Sequence, residues 1–512
     1  MRLAHILAVL LACLLILVPA ASSFTLNVTQ RGTQLADFAV DLPAVITITN
    51  TSIDDTTARY IASISIANDG LQDWEIHLIS HTADGWKYER LLGVVQPGTT
   101  GNFTQNFEAK YSGETKASIQ YAVVAEGDVV LHGKYFELVE DWSAYELKSR
   151  TELTNMAAVF IPLCGGAIIA LLLVLAEWAY ASHSDGEYRD EYTIHSFFMP
   201  KIAGRPLAEA LADVLAHPLF WLIELIALGL MASIIWTGLA AHLPAEKAMP
   251  IFLLSLLGAA IMPLVYFMLA WAYNEWMEKM PLRFMAGMFI WGIMAAVLAL
   301  VLNTAQVQLL APFLGSNTMI AAIVTVALVA PFIEELVKGA GLLALRGHHE
   351  FADALHGLHL GFAVGLGFSL VENWFYLASR TDPFQNGLAV WVGLGVYRSV
   401  VNAVAHGCFS AALGASLGWA KSQKWGRFAL LAFLPGLVMA IVLHSLFNLT
   451  AIADSFSVLS ADFPSFGFNP LMTLALLVVV VALSAGAASD FRRRKAAGRK
   501  EQITRLANQD RL

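Results

Sequence analysis

The pattern of apolar and polar positions changes character once along the chain, near residue 155. Before that point, short runs alternate apolar with polar side chains, the period of a strand with one buried face. FTLNVTQ, AVITITNTS, RYIASISIAN, WEIHLIS, FTQNFEAKY, ASIQYAVVAEG and VVLHGKYFELVE are such runs, and NDG, ADG, QPGTTG and EGD separate many of them as turns. Seven or eight strands within residues 24–155 predict an all-β, sandwich-like domain. After residue 155 the alternation gives way to long apolar runs of bilayer-spanning length. These predict nine spans, near 156–182, 218–241, 250–273, 284–303, 317–345, 357–379, 388–420, 428–450 and 469–488. The stretch RPLAEALADVLAHP, 205–218, carries apolar residues at helical spacing and predicts a helix lying along the inner membrane surface.

The first 23 residues carry a different pattern. Arg2 opens a short polar region, an apolar run extends from Ile6 to Val18, and small residues follow Pro19. That is the layout of a cleaved secretory signal. The predicted organisation is a signal peptide at 1–23 and a β domain at 24–155. Four spans follow at 156–316 with an inner loop at 183–217, then a four-helix core at 317–450. A final span lies within 451–488, and a basic tail at 489–512.

Composition supports the membrane reading. The 512 residues are 57% hydrophobic and 14% charged, against roughly 25% charged in soluble domains. The net charge of −9 excludes a generic basic nucleic-acid binder. It sits wholly in residues 24–155, with 9 basic and 18 acidic side chains; the rest of the chain is balanced. The chain's 3 cysteines exclude a disulfide scaffold and a zinc-finger pattern. Cys13 lies in the leader, and Cys164 and Cys408 lie in apolar runs, so no disulfide is expected. Asn27, Asn50 and Asn102 stand in N-x-S/T sequons, which fit an exported surface.

Flanking charge sets the orientation. With the β domain outside, segments 183–217, 274–283, 346–356, 421–427 and 489–512 lie inside and hold 17 Lys and Arg. The short outer loops hold only Lys247 and Arg380. The expected protein is thus a multispan all-α membrane protein of about nine transmembrane helices. Its N-terminal all-β sandwich-like domain is extracytoplasmic and its tail cytoplasmic.

Ionisable side chains inside spans are costly and mark function. Here they concentrate in four consecutive spans. APFIEELVKGAG places Pro331 before Glu334 and Glu335, with Lys338 within one turn of both. Proline removes a backbone donor and should loosen the helix there. Adjacent helical residues point about 100° apart, so one glutamate can pair with Lys338 while the other faces a cavity. The next span carries Phe368, Glu372 and Asn373, with Gly357, Gly361 and Gly365 forming a smooth face for close helix approach. The third carries Arg398, Asn402 and His406 in one stripe at i, i+4 and i+8, with Gly414 and Gly418 beyond. The fourth carries His444 and Asn448 one turn apart. Carboxylates and imidazoles in this number suit a metal-bound or carboxylate-activated water.

The ordered set E-E-x-x-K (Glu334, Glu335, Lys338), F-x-x-x-E (Phe368, Glu372), His406 with Arg398 upstream, and H-x-x-x-N (His444, Asn448) resembles the PrsW-type intramembrane proteases. That family belongs to the wider CAAX-processing and bacteriocin-processing membrane protease group. The resemblance covers roughly residues 320–450. It implies an all-helical membrane core that hydrolyses peptide bonds of membrane-associated proteins. Some members process anti-sigma factors, which implies regulated proteolysis.

On that basis Glu334 or Glu335 is expected to activate water. Glu372, His406 and His444 are expected to hold it, through a zinc ion or in a metal-free arrangement of the same groups. Lys338 is expected to keep one glutamate ionised, Arg398 to serve the same cluster, and Asn448 to orient His444 or donate to an oxyanion. The expected partners are a membrane-protein substrate and the lipid bilayer, with no nucleic acid.

Two rival readings follow from the same residues. Buried Glu, His and Arg can form the proton relay of a coupled transporter, although the sequence shows no inverted repeat. A non-catalytic protease-like scaffold is the other, against which every motif position is filled. RGHHEFADALHGLH, with His348, His349, His356 and His359, reads as a solvated inner loop. RRRKAAGRK reads as the positive anchor after the last span.

Overall fold

A computed structural model describes residues 26–31, 40–53, 56–82, 85–127, 132–159, 161–162, 206–277, 280–314, 317–423, 431–455, 469–486 and 488–489. The expected leader, the inner loop up to residue 205, the basic tail, and Cys13 and Cys164 lie outside these residues. So does all but the beginning of the expected first span. The chain divides into two compact units.

The first unit is the β domain, which also takes in residues 381–392. Its strands are β1 (Asn27–Arg31), β2 (Val40–Asp41), β3 (Ala44–Ile53), β4 (Thr57–Ala67), β5 (Trp74–Thr82), β6 (Gly85–Val95), β7 (Thr100–Lys110), β8 (Lys116–Glu126) and β9 (His132–Asp141). One sheet runs β1-β9-β8-β5-β6, with β2 added parallel to β9; the other runs β3-β4-β7. Alternation does its work most clearly on β4, where Ala58, Tyr60, Ala62, Ile64 and Ile66 are buried and the intervening residues are not. Side chains from the two sheets meet. Phe107 of β7 packs edge-on against Tyr121 of β8 at 4.9 Å, and the Tyr60 hydroxyl of β4 donates to Glu140 Oε1 of β9 at 3.0 Å. Burial pushes the Glu140 carboxyl above the usual range, although hydrogen bonds from Tyr60 and Trp142 pull the other way. A helix, α1, spans 143–159. Within this unit the Tyr145 hydroxyl donates to the Phe384 carbonyl at 2.7 Å, which fastens α8 (Pro383–Asn386) to the domain.

β6 and the two-residue β2 are absent from the sequence expectation. β6 hides because its apolar residues are not all inward: Leu91 and Val94 are exposed, and its pairing with β5 breaks register twice. Mixed burial of that kind erases the two-residue period.

The second unit is helical. It contains α2 (Leu207–Leu215), α3 (Pro218–His242), α4 (Ala245–Met277), α5 (Leu282–Leu314), α6 (Thr318–Leu345), α7 (Ala354–Ser379), α9 (Leu388–Ser422) from residue 393 onward, α10 (Phe433–Ser455) and α11 (Asn469–Gly486). Among the described residues, eight helices are long and apolar enough to cross a membrane: α3, α4, α5, α6, α7, α9, α10 and α11. They match eight of the nine expected spans. The 33-residue α5 runs 11 residues past the expected end at 303.

α7 is the axis of this unit, buried almost throughout and packed against α4, α5 and α9. The glycine face does what its spacing predicts. A Cβ on Gly365 would strike the His406 carbonyl, one on Gly361 the Ser410 carbonyl, and one on Gly357 the Gly414 carbonyl. α7 and α9 therefore touch backbone to backbone.

The histidine-rich segment is not a solvated loop. His348 is fully buried, lies 3.5 Å from Asp213 Oδ1 and stacks near Phe284; Asp213 in turn pairs with Arg283 at 2.7 Å. His356 and His359 are also buried. The short connection after α6 is tucked beneath α2 and α5, so its imidazoles replace water contacts with fixed partners. Asp353 caps α7 through the Leu355 and His356 amides. Burial works against its charge, but the His356 ring and these amides outweigh it and hold the carboxyl below its usual range.

Candidate active site

Two of the site helices are locally widened. α6 is π-helical over Ile323–Val329 and α9 over Arg398–Asn402, turns that recur at functional sites. On α6 the widened turn is closely followed by Pro331. In a π-turn the amide five residues on serves each carbonyl. The residue five on from Val326 is Pro331, which has no N–H. The Val326 carbonyl is left free, and Asn448 Nδ2 of α10 donates to it at 3.0 Å. Gln306 Nε2 of α5 reaches the neighbouring Thr325 carbonyl at 3.4 Å.

Below this widened turn the two glutamates part, as adjacent helical positions must. Glu335 turns inward and is fully buried. Its Oε1 accepts from Lys338 Nζ at 2.6 Å and lies 3.0 Å from His444 Nδ1, and its Oε2 accepts from Ser410 Oγ at 3.2 Å. A carboxylate only accepts, so His444 donates to it from Nδ1, and the other ring nitrogen, Nε2, points away. That nitrogen lies 3.7 Å from Glu334 Oε2. Glu334 turns the other way and lines a cleft, its Oε1 accepting from Asn303 Nδ2 of α5 at 3.1 Å.

Lys338 lies 3.0 Å from His406 Nδ1 and 3.8 Å from the Phe368 ring centroid. The aromatic residue one turn before Glu372 is thus the floor on which the buried ammonium rests. On the far side of His406, Nε2 lies 2.7 Å from Glu372 Oε2. Arg398 donates to Glu372 Oε1 at 2.9 Å and to Asn373 Oδ1 at 3.1 Å, and covers the Tyr376 ring at 3.9 Å. Asn402 also donates to Asn373 Oδ1, at 3.0 Å.

The four spans named from the sequence therefore meet at one place. Glu334, Glu335, Lys338, Glu372, Arg398, His406 and His444 form a continuous set of contacts. Asn448 lines the same cleft but faces Val326, and Glu335 faces the inner edge of the His444 ring. Sequence reasoning missed Asn303, Gln306 and Ser410. The first two were legible as polar residues one turn apart in an apolar run, but placing the span's end at 303 made them look like a helix terminus.

A cation has a place here. One donor atom each from Glu334, His406 and His444 lie within 4.8 Å of one another. The set of one carboxylate and two imidazoles suits a catalytic divalent metal with an open position. Charge argues the same way. Among the described residues, Glu334, Glu335 and Glu372, when ionised, share two permanent cations, Lys338 and Arg398, beside the two histidines, and an uncompensated buried charge is costly. Glu372 stands outside that convergent trio, held by Arg398 against His406.

The cleft itself has a volume of about 750 Å³ and runs from Glu334 and Glu372 past Asn303, Gln306, Tyr376 and Tyr397. It is large enough for several residues of a peptide.

Residues 280–484 match the sequence profile described as PrsW family intramembrane metalloprotease. Protease PrsW of Geobacillus kaustophilus (strain HTA426) is 26% identical over 189 residues, covering 36% of this chain and 77% of that relative. No solved structure matches the chain.

Proposed function

We propose that this chain is an intramembrane protease that hydrolyses peptide bonds of membrane-associated proteins, with its β domain outside the cytoplasm. The observation that carries the reading is the convergence of Glu334, His406 and His444, of which Glu334 lines a cleft, inside the segment with PrsW-family similarity.

The roles follow from what each side chain can still do. Glu335 has both oxygens engaged by Lys338, His444 and Ser410, so it orients rather than reacts. It fixes the His444 ring and anchors Lys338. Glu334 lines the cleft and keeps an oxygen free of described protein donors, so in a metal-free arrangement it is the group that can take a proton from water. Glu372, held by Arg398, orients His406 from the other side, and the proton that Glu334 takes from water is the one that can pass to the leaving amine. Asn448 and Asn402 line the cleft as amides able to donate to a developing oxyanion, a contribution of roughly 3 kcal/mol in known cases.

Glu334, His406 and His444 are the residues that would hold a zinc ion. Such an ion, when bound, supplies Lewis-acid polarisation and an acidified water. Glu372 joins the set through His406.

The test is cleavage of single-span candidate substrates by the full chain in liposomes. Glu334→Gln, Glu335→Gln and His444→Ala should each abolish it. Cleavage that survives all three would overturn the assignment.

A further inference from the structure

Asn303 and Gln306 sit one turn apart on α5, and both line the cleft beside Glu334. Each amide is oriented by an acceptor: the ionised Glu334 carboxylate for Asn303 and a backbone carbonyl for Gln306. Asn303 Nδ2 faces the Glu334 carboxylate, and Gln306 Nε2 faces the Thr325 carbonyl. Flipping either amide would set oxygen against oxygen, so the carbonyl ends are fixed. Those ends, Asn303 Oδ1 and Gln306 Oε1, are buried and have no hydrogen-bond partner among the described residues. Gln306 is only 9% exposed. Buried acceptors are nearly always satisfied, and two unsatisfied ones on one wall of a cleft call for two donors from whatever enters it.

We propose that Asn303 and Gln306 form a docking edge for the backbone of an unwound, extended substrate segment, accepting hydrogen bonds from its peptide N–H groups. This rests on the proteolysis reading for its biological purpose and adds the form in which the substrate binds. The geometry suits that ligand. Residues three apart on a helix have Cβ atoms about 5–6 Å apart. N–H groups on one edge of an extended chain recur about every 6.6 Å. Two amide side chains can therefore meet successive N–H groups of the same edge. A helical substrate cannot use the site, because its own carbonyls occupy its N–H groups. Recognition on this wall therefore reads backbone conformation and not side chains. It selects segments that unwind easily, such as those with paired glycines.

The test measures binding apart from cleavage. The probe is a fluorescein-labelled peptide of about twenty Leu and Ala residues with a central Gly-Gly pair. It is titrated onto the full chain in nanodiscs, in a Glu335→Gln background so that turnover does not intervene. A series of probes replaces one central peptide N–H at a time by an ester oxygen. With Gln306 present, an ester at the facing position should weaken binding about fivefold. In Gln306→Leu the parent peptide should bind about fivefold more weakly, and the same ester should cost nothing more. Ester profiles that are identical with and without Gln306 would overturn the proposal, as would a probe that does not bind at all. Cleavage of the parent peptide by the unmutated chain is scored separately. Its absence counts against proteolysis and leaves the ester–Gln306 coupling as it stands.

Discussion

Lys338 donates to Glu335 Oε1 at 2.6 Å, and both side chains are wholly withdrawn from solvent. One turn of α6 thus carries an anion and a cation that exist only by virtue of each other. The same ammonium reaches His406 on α9. A local i, i+3 pair becomes the joint between the two helices.

Removing half of that pair should be worse than removing all of it. Lys338→Met leaves Glu335 buried without its cation and should cost about 3–5 kcal/mol of stability. The double variant Lys338→Met/Glu335→Gln should recover most of the loss without recovering proteolysis. Thermal unfolding of the purified chain in detergent, beside a cleavage assay, separates the two effects. Equal destabilisation of single and double variants would mean that the pair is not energetically coupled.

Metal content distinguishes Glu334 from Glu372. The purified chain should hold about one zinc equivalent. Glu334→Gln, His406→Ala and His444→Ala should lose it while remaining folded, and Glu372→Gln should retain it. Chelation should abolish cleavage, and zinc should restore it. Retention in Glu334→Gln with loss in Glu372→Gln would exchange the roles of the two carboxylates.

The helix contact beneath His406 can be probed by one methyl group. Gly365→Ala places a Cβ against the His406 carbonyl, where neither backbone can yield without separating α7 from α9. A cost of about 1–3 kcal/mol is expected, together with a fall in activity as His406 moves. Gly393→Ala, where nothing lies within 4 Å, should do neither. Thermal denaturation of the two variants side by side is sufficient.

The β domain should respond to pH through Glu140. Its folded carboxyl titrates above the ordinary value of 4.5, chiefly through burial. The stability that it contributes is therefore complete below about 4.5 and is lost as pH rises through the higher folded value. Protection of β4 and β9 amides against hydrogen exchange, corrected for intrinsic rates, should fall over that interval in the natural chain. In Glu140→Gln it should stay flat. A fall of equal size in both would assign it to another group.

The spans and the meeting of α6, α7, α9 and α10 were legible because hydrophobic runs and misplaced charge are strong local signals. Glu334, Glu372, His406 and His444 stood out as ionisable residues inside apolar spans, and it was the resemblance that gathered them into one set. What the sequence withheld was which way each side chain turns. Spacing allowed Lys338 to pair with either glutamate, and only the packing of Ser410 and His444 around Glu335 decides between them. Asn303 and Gln306 stayed hidden because an amide near an apparent helix end looks like solvent-facing sequence. β6 stayed hidden because its exposed Leu91 and Val94 break the strand period.

The widened turn at Ile323–Val329 makes the chain's length, as much as its composition, part of the site. Each residue on a helix advances the phase by about 100°. Deleting a single residue from this stretch would restore an ordinary helix and keep every motif intact. Glu334 and Glu335 would remain tied to their partners below. Thr325 and Val326 would rotate away above, and with them the carbonyls that steer Gln306 and Asn448. Such a chain would still spell out every signature and yet have lost the carbonyls that hold Gln306 and Asn448 in place.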